Sequence, residues 1–308
     1  MHKHITLSGD AEWIQKISKD ILKMDDVVGV SHQRGASLKP KGDLLSIHVL
    51  NQAADEVMNA AAPGIRQGLI SAVIAESKAI VDKSNDKKLA LDDDEGLWEE
   101  MESQLRNHGR ISPNYLILMA LGGLIAAIAF AGDPVSQAIA FVGASIIAPG
   151  FEPISKMSLG IVLKRWPLIR GGGIAMLGGY ATLIAAAFVG FKFLDYFHIT
   201  TIDEIRALPI METLTGASKD SLVHSICAAV AGTLVITSLR DTYVVGPLIV
   251  LVMIPSSALT GIALGAGDVA LAAEALARVA IDVGLIIGAG CLVYLWKQIA
   301  KHRREPLP

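Results

Sequence analysis

Six apolar segments follow one another through the second half of the chain, at about 113–131, 134–164, 168–194, 221–239, 242–267 and 269–296. A helix needs about 20 such residues to cross a bilayer. The sequence therefore predicts an α-helical polytopic membrane domain of about six transmembrane helices. Composition agrees: the 308 residues are 52% hydrophobic and only 19% charged, more apolar than an ordinary soluble domain. A net charge of −3 gives no basic surface for phosphates, so nucleic acid is not an expected partner.

The flanks set an orientation by the positive-inside rule. Arg106 and Arg110 precede the first segment, Lys164, Arg165 and Arg170 separate the second from the third, and Arg240 separates the fourth from the fifth. Lys297, Lys301, Arg303 and Arg304 close the chain. The GDP and GAGD connections carry no base, and in the 195–220 connection Asp195, Asp203, Glu204, Glu212 and Asp220 outnumber the bases. Both termini are thus expected in the cytoplasm, with the protein in the inner membrane. The first residues, MHKHITLSGD, lack the basic-then-apolar run of a signal peptide, which fits that placement.

Two segments are interrupted. The second, PVSQAIAFVGASIIAPGFEPISKMSLGIVLK, is long for one span and contains Pro149, Gly150 and Pro153 near its middle. The fifth contains Pro255, followed by Ser256, Ser257 and Thr260. Proline removes an amide donor and clashes with the preceding turn, leaving carbonyls unpaired. Within a bilayer such backbone is tolerated only where it faces protein or water. Each break falls in the second helix of a three-helix group, and an odd group followed by its copy lies the other way up. The pattern is an inverted 3+3 repeat with broken second and fifth helices, the arrangement that points to a midplane substrate or ion site. Prolines that merely kink packed helices are the bland alternative.

Ionisable residues sharpen the candidate. Glu152 sits within the first break and Lys156 one turn further on. In the sixth segment Glu274, Arg278 and Asp282 recur at steps of four, a ladder on one helix face. At about 1.5 Å per residue, Arg278 lies near mid-depth. Glu152, Arg278 and Asp282 are expected to face a shared polar cavity, or else to form a static network that fixes helix packing. His224, near Ser221 and Ser225, is a weaker proton-relay candidate. No HExxH, GxSxG, P-loop or paired-carboxylate arrangement suggests an enzyme. No catalytic group, cofactor or metal is expected.

Small residues at Gly171–Gly173, Gly178, Gly179, Gly261 with Gly265, and Gly284 with Gly288 allow close helix approach, within the chain or in a homo-oligomer. Trp166, Tyr196, Tyr294 and Trp296 read as interfacial anchors. Cys227 and Cys291 lack metal or disulfide spacing and read as small buried hydrophobes.

Before the spans, residues 1–82 alternate as a soluble α+β domain. Ile5 and Leu7 mark a first strand, and Trp13, Ile14, Ile17 and Ile21 form the face of a helix capped by Asp10. VVGVSHQRG and LLSIHVLN read as a hairpin, AADEVMNAAA as a helix ending near Pro63-Gly64, and AVIAESKAIVD as a last strand. That order, βαββαβ, is ferredoxin-like. His2, His4, His32 and His48 form no ligand pattern. Residues 83–111 read as a linker and an amphipathic elbow helix starting near the acidic run Asp92 to Glu95. Its stripe of Leu97, Trp98, Met101 and Leu105 lies on the membrane face or packs on the soluble domain. The six-helix domain then takes 112–298 and a basic tail 299–308.

The stretches GLIAAIAFAGDPVSQAIAFVGASIIAPGFEPISKMSLGI and SICAAVAGTLVITSLRDTYVVGPLIVLVMIPSSALTGIALGAGDVALAAEAL, with the ferredoxin-like piece, resemble the bacterial and archaeal membrane proteins grouped as domain of unknown function 389. In that family the first stretch reads like GAM-ISPLMGPI, so Ala148-Pro149 and Pro153 match while Phe151-Glu152 stand where Met-Gly is usual. A Pro-Pro pair is normal where Pro255 is followed here by Ser256, and Asn is common near Asp282. These departures make the region more polar. The resemblance implies a membrane protein and assigns no activity. The residues themselves point to a transporter or channel for a small solute or ion, with a site formed by Pro149, Gly150, Glu152, Pro153, Pro255, Ser256, Ser257, Thr260, Arg278 and Asp282. The competing expectation is a membrane-anchored sensor or scaffold that works through its soluble domain.

Overall fold

The computed structural model describes residues 2–77, 79–92, 94–238, 253–302 and 307. The chain forms two compact units: Met1–Met101 with Thr237–Leu239 and Gln298–Pro308, and Glu102–Ile236 with Arg240–Lys297.

In the first unit the order is β1 (His2–Gly9), α1 (Ala11–Ile21), β2 (Val27–Leu38), β3 (Lys41–Val49), α2 (Asn51–Arg66) and β4 (Ile70–Ser77). The four strands form one sheet in the order β2-β3-β1-β4, with every neighbouring pair antiparallel. This is the βαββαβ arrangement expected of a ferredoxin-like sandwich. Strand alternation puts Ile5 and Leu7 on the same face as Leu45, Ile47 and Val49. Against them pack Ile14, Ile17 and Ile21 of α1 with Val57, Met58 and Ala61 of α2. Asp10 caps α1, accepting from the amides of Glu12 and Trp13.

Two boundaries differ from expectation. The second helix does not stop at Pro63 but runs to Arg66, because a proline this close to a helix end forfeits only its own amide bond. Residues 86–92 are tied to the first unit rather than loose. Asp92 accepts from the amides of Asn51 and Gln52, capping α2 from a distance, and bonds His2 at 2.7 Å. A short α3 (Asp86–Ala90) carries Lys88, which pairs with Asp26. Next, α4 (Trp98–His108) starts later than the acidic run suggests. All four residues of its stripe are buried, and Leu97 belongs to the core of the first unit.

His302 is buried in this unit. Its Nδ1 lies 2.5 Å from Asp55 and its Nε2 3.9 Å from Glu95, with the Trp98 ring alongside. Burial alone would lower its pKa, but the hydrogen bonds and charges of Asp55 and Glu95 outweigh that and hold it up at about 8.

The second unit contains α5 (Pro113–Ala129), α6 (Pro134–Ile147), α7 (Phe151–Val162), α8 (Trp166–Tyr196), α9 (Ile202–Arg206), α10 (Met211–Thr215), α11 (Lys219–Thr237), α12 (Met253–Ala266) and α13 (Val269–Ala300). Ser112 and Asp133 cap α5 and α6, each just before a first-turn proline. Among the described residues, three helices, α8, α11 and α13, are long and apolar enough to cross a membrane. Up to five spans result if the bent pairs α4–α5 and α6–α7 each count as one. The first part of the expected fifth segment, along with Arg240, Arg303 and Arg304, lies outside the described residues. Leu177, Val189 and Phe193 of α8, with Leu292 and Ile299 of α13, point away from the unit, an apolar exterior that suits lipid.

Helix α8 is the hub, packing against α5, α7 and α12. Each contact closes at a glycine. A Cβ on Gly123 would come within 2.4 Å of the Leu183 carbonyl, one on Gly172 within 2.5 Å of the Pro153 carbonyl, and one on Gly261 within 2.3 Å of the Ile184 carbonyl. The Gly261/Gly265 pair therefore serves packing within the chain. Around Gly284 and Gly288 no atom of the described residues lies within 4 Å of an added Cβ. Cys227 is exposed on α11 rather than buried, which costs a thiol little where the surroundings are lipid. Tyr294 is fully buried, not an interfacial anchor, while Trp166, Tyr196 and Trp296 are exposed as anchors would be.

Two outcomes follow. Gly123→Val should lower stability by about 1–3 kcal/mol through overpacking. In contrast, Gly173→Ala, with nothing within 4 Å, should be neutral or stabilising by about 0.5–1 kcal/mol; thermal denaturation of both in detergent checks the contrast. Because the folded pKa of His302 exceeds the unfolded value of about 6.5, its contribution is complete below that pH and is lost as pH rises through about 8. The apparent Tm should fall across that window, and the His302→Gln profile should be flat by comparison.

Candidate functional site

The first break is built by residues that each end or restart a helix. The last regular bond of α6 runs from the Ala148 amide to Ala144. Ala148 itself is extended, as a residue before proline must be. Helix α7 restarts at Phe151 and leaves α6 at 51°. Pro153 falls in its first turn, where an amide has no helical acceptor and proline is cheap. Pro255 lies in α12 (Met253–Ala266), and the residues before Met253, where a second break would be judged, lie outside the described residues. The spacing after the two prolines is alike: Ser155 and Ser257 stand two residues after their prolines, and Ser158 and Thr260 five after.

The break between α6 and α7 meets α12 at Tyr180 of α8. Its hydroxyl donates to the Gly150 carbonyl at 3.4 Å and lies 3.9 Å from Met253 Sδ. Gly150 is hemmed in: a Cβ there would come within 2.5 Å of the Tyr180 oxygen and 3.5 Å of Ile254 Cδ1.

On the α12 side, Ser256 and Ser257 are fully buried and Thr260 nearly so. Ser256 donates to the Leu214 carbonyl at 3.0 Å, Thr260 bonds back to the Ser256 carbonyl, and Ser257 Oγ has no partner among the described residues. Next to this lies the strongest electrostatic feature. Arg278, wholly buried, pairs with Asp282 at 3.0 Å one turn along α13. The Nη2 that faces Asp282 also donates to Ser225 Oγ at 2.9 Å, and Nη1 donates to Ser221 Oγ at 3.0 Å and to the Gly216 carbonyl at 3.3 Å. Ser225 donates in turn to Asp282 at 2.8 Å. Among the described residues Arg278 Nε and Asp282 Oδ2 have no hydrogen-bond partner, and neither do Ser257 Oγ, Gln104 Oε1 and Gln137 Nε2 of the same unit. Buried polar atoms are nearly always satisfied, and three of these five lie on α12 and α13.

The expected residues thus fall into two groups. Glu152, half-buried, and Lys156 face the turn between α4 and α5: Lys156 donates to the Gly109 carbonyl at 3.0 Å, and Gly109 packs on the Glu152 backbone. No hydrogen bond or ion pair among the described residues joins them to Arg278 and Asp282. The ladder is broken at its first rung, because Glu274 is exposed and lies near Arg206 rather than in the network. His224 is exposed, while its neighbours Ser221 and Ser225 enter the Arg278 network. No cluster that could hold a metal ion occurs among the described residues. Sequence reasoning missed Tyr180, the Ser155–Tyr294 bond at 2.9 Å and the Leu214 and Gly216 carbonyls. A tyrosine inside an apolar span is the one signal that could have found part of this, since a buried hydroxyl needs a partner.

Fold and site together define a mainly helical protein with candidate membrane spans and a small antiparallel α+β unit. Residues 145–287 match the model of the family described as Domain of unknown function (DUF389), the family that the two proline-bearing stretches resemble. Comparison with curated proteins and with solved structures produced no match. The matched range holds Pro149, Pro255, Tyr180, Arg278 and Asp282.

Removing one partner of the buried pair strands the other. Arg278→Met should therefore destabilise by about 3–5 kcal/mol, while Arg278→Met with Asp282→Leu should recover most of the loss. Thermal unfolding of the single and double variants reads this directly, and a single variant as stable as the parent would rule the buried pair out.

Proposed function

We propose that the chain is an integral membrane protein of the transporter or channel class, passing a small solute or ion through a site at its two helix breaks. The carrying observation is that Tyr180 joins the α6–α7 break to the start of the described part of α12, touching Gly150 and Met253. Interrupted helices that converge on buried, incompletely satisfied polar groups are what a midplane site requires. The same reading gives six spans in an inverted 3+3 repeat, the partition at 82, 111 and 298, no catalytic group and no cofactor.

Two surface networks support the topology. Glu102 pairs with Arg165 at 2.7 Å and with Arg106 at 2.6 Å, gathering the basic connections. Arg206 pairs with Asp268, gathering the 195–220 and GAGD connections. Connections thus sort into the same two groups as the positive-inside bias, and we infer an inner-membrane protein with both termini cytoplasmic. Open space at Gly284 and Gly288 suits a neighbouring helix from a second copy.

The test is flux into proteoliposomes holding the purified full chain, screened across monovalent cations, protons and small organic anions. Selective flux is expected, falling about tenfold or more in Glu152→Gln and in Asp282→Asn, equivalent to about 1.4 kcal/mol of barrier. Absence of flux for every solute, from folded protein, would favour a membrane-anchored sensor or scaffold.

A further inference from the structure

The 195–220 connection, which its charges mark as an aqueous loop, is folded into the second unit. Ile205 of α9 and Leu214 of α10 are buried in the same apolar cluster as Ile254, Ala258 and Leu259 of α12. A capping box from Thr201 and Glu204 starts α9, and Arg206 at its end is held by Asp268 at the head of α13. The 211–216 tip reaches the site itself: the Leu214 carbonyl accepts from Ser256 and the Gly216 carbonyl from Arg278. Residues two apart in a chain are separated by no more than about 7 Å. Ser256 on α12 and Arg278 on α13 therefore donate to neighbouring points on one short piece of backbone. Beside them, the Ser257 hydroxyl and Arg278 Nε are further donors with no acceptor among the described residues.

We propose that the 211–216 tip is the gate of this site, and that its two carbonyl oxygens hold the place of the acceptor oxygens of the transported solute, a small carboxylate or comparable oxoanion. The proposal rests on the transporter reading. Withdrawing the tip strands two buried donors, which is unfavourable, so the gate stays shut until a solute supplies acceptors in its stead. A cation would meet hydroxyl and guanidinium hydrogens, and an apolar solute would leave them unpaired. An anion with two oxygens satisfies both. Asp282 neutralises one edge of Arg278, so the anion meets directed hydrogens without a full uncompensated charge, and binding weak enough to release follows.

The experiment uses the full chain in proteoliposomes with Cys227→Ser and Cys291→Ser, and Ser257→Cys as probe. A membrane-impermeant thiol reagent is added, with and without Leu214→Ala. Loss of the buried Leu214 side chain should loosen the tip and speed modification about tenfold or more, which corresponds to 1.4 kcal/mol. Acetate or inorganic phosphate should slow the reaction again in that variant, and choline chloride at equal ionic strength should not. Leu214→Val, a smaller truncation, should give a smaller acceleration of the same sign and stands in if the alanine variant does not assemble. An unchanged rate overturns the gate. Acceleration that neither acetate nor phosphate reverses overturns the solute class. Since the readout is accessibility, the two readings fail separately. Anion-protected modification without flux retires transport and keeps the gated site, whereas flux with unchanged accessibility retires the gate alone.

Discussion

A backbone group inside an apolar medium must find a partner, and the second unit is organised around that demand. Where α6 stops, the freed Gly150 carbonyl receives the Tyr180 hydroxyl. Where α10 ends, the Leu214 and Gly216 carbonyls receive Ser256 and Arg278. At the α4–α5 turn the Gly109 carbonyl receives Lys156. Each irregular stretch of backbone is thus answered by a side chain from another helix, and the glycines that bring α5, α7 and α12 against α8 make those reaches short enough.

The Arg278–Asp282 pair has to be understood against its cost. Taking two charges out of water is rarely recovered by their attraction alone, and an apolar pair of similar volume is often as stable. Spacing of one turn on α13 makes the pair local, so it needs no particular fold to form. What does need the fold is the set of donors and acceptors around it: Ser221 and Ser225 from α11 and Gly216 from the tip. Among the described residues Arg278 Nε and Asp282 Oδ2 are left over, as are Gln104 Oε1 and Gln137 Nε2 of the same unit, so the surroundings do not fully satisfy the pair.

How much of this could be read from the chain depends on the range of the interaction. Alternation of Ile5 and Leu7, the Asp10 cap and the first break at Pro149-Gly150 are local, and all were legible. The extension of α2 past Pro63 was not, because proline near a helix end loses only one bond. Asp92 looked like part of a solvated acidic run; its role as a cap for α2 appears only once β1 and α2 have assembled. Spacing alone placed Glu274, Arg278 and Asp282 on one face, but burial separates them, since a step of four drifts around the helix and the neighbouring elements cover only part of it. Backbone carbonyls carry no residue signature at all, so the contribution of Leu214 and Gly216 was invisible.

Helices α7 and α12 carry proline and hydroxyl residues at the same spacing, yet their polar groups are held differently. After its first-turn proline, α7 has Ser155 already bonded to Tyr294 and Lys156 already bonded to Gly109. At the matching position α12 has Ser257 with nothing to bond among the described residues, beside a Ser256 that is engaged by the tip of a connection. The first half is tied into the helices around it, and its polar groups resist rearrangement. The second is covered by the 195–220 connection, which is held by buried Ile205 and Leu214, by Ile210 and Met211 packed on the same cluster, by two hydrogen bonds to its own carbonyls and by a rim ion pair at Arg206. One half is thus tied by side chains of neighbouring helices and the other by a connection, a difference that arises from side chains α7 and α12 do not share.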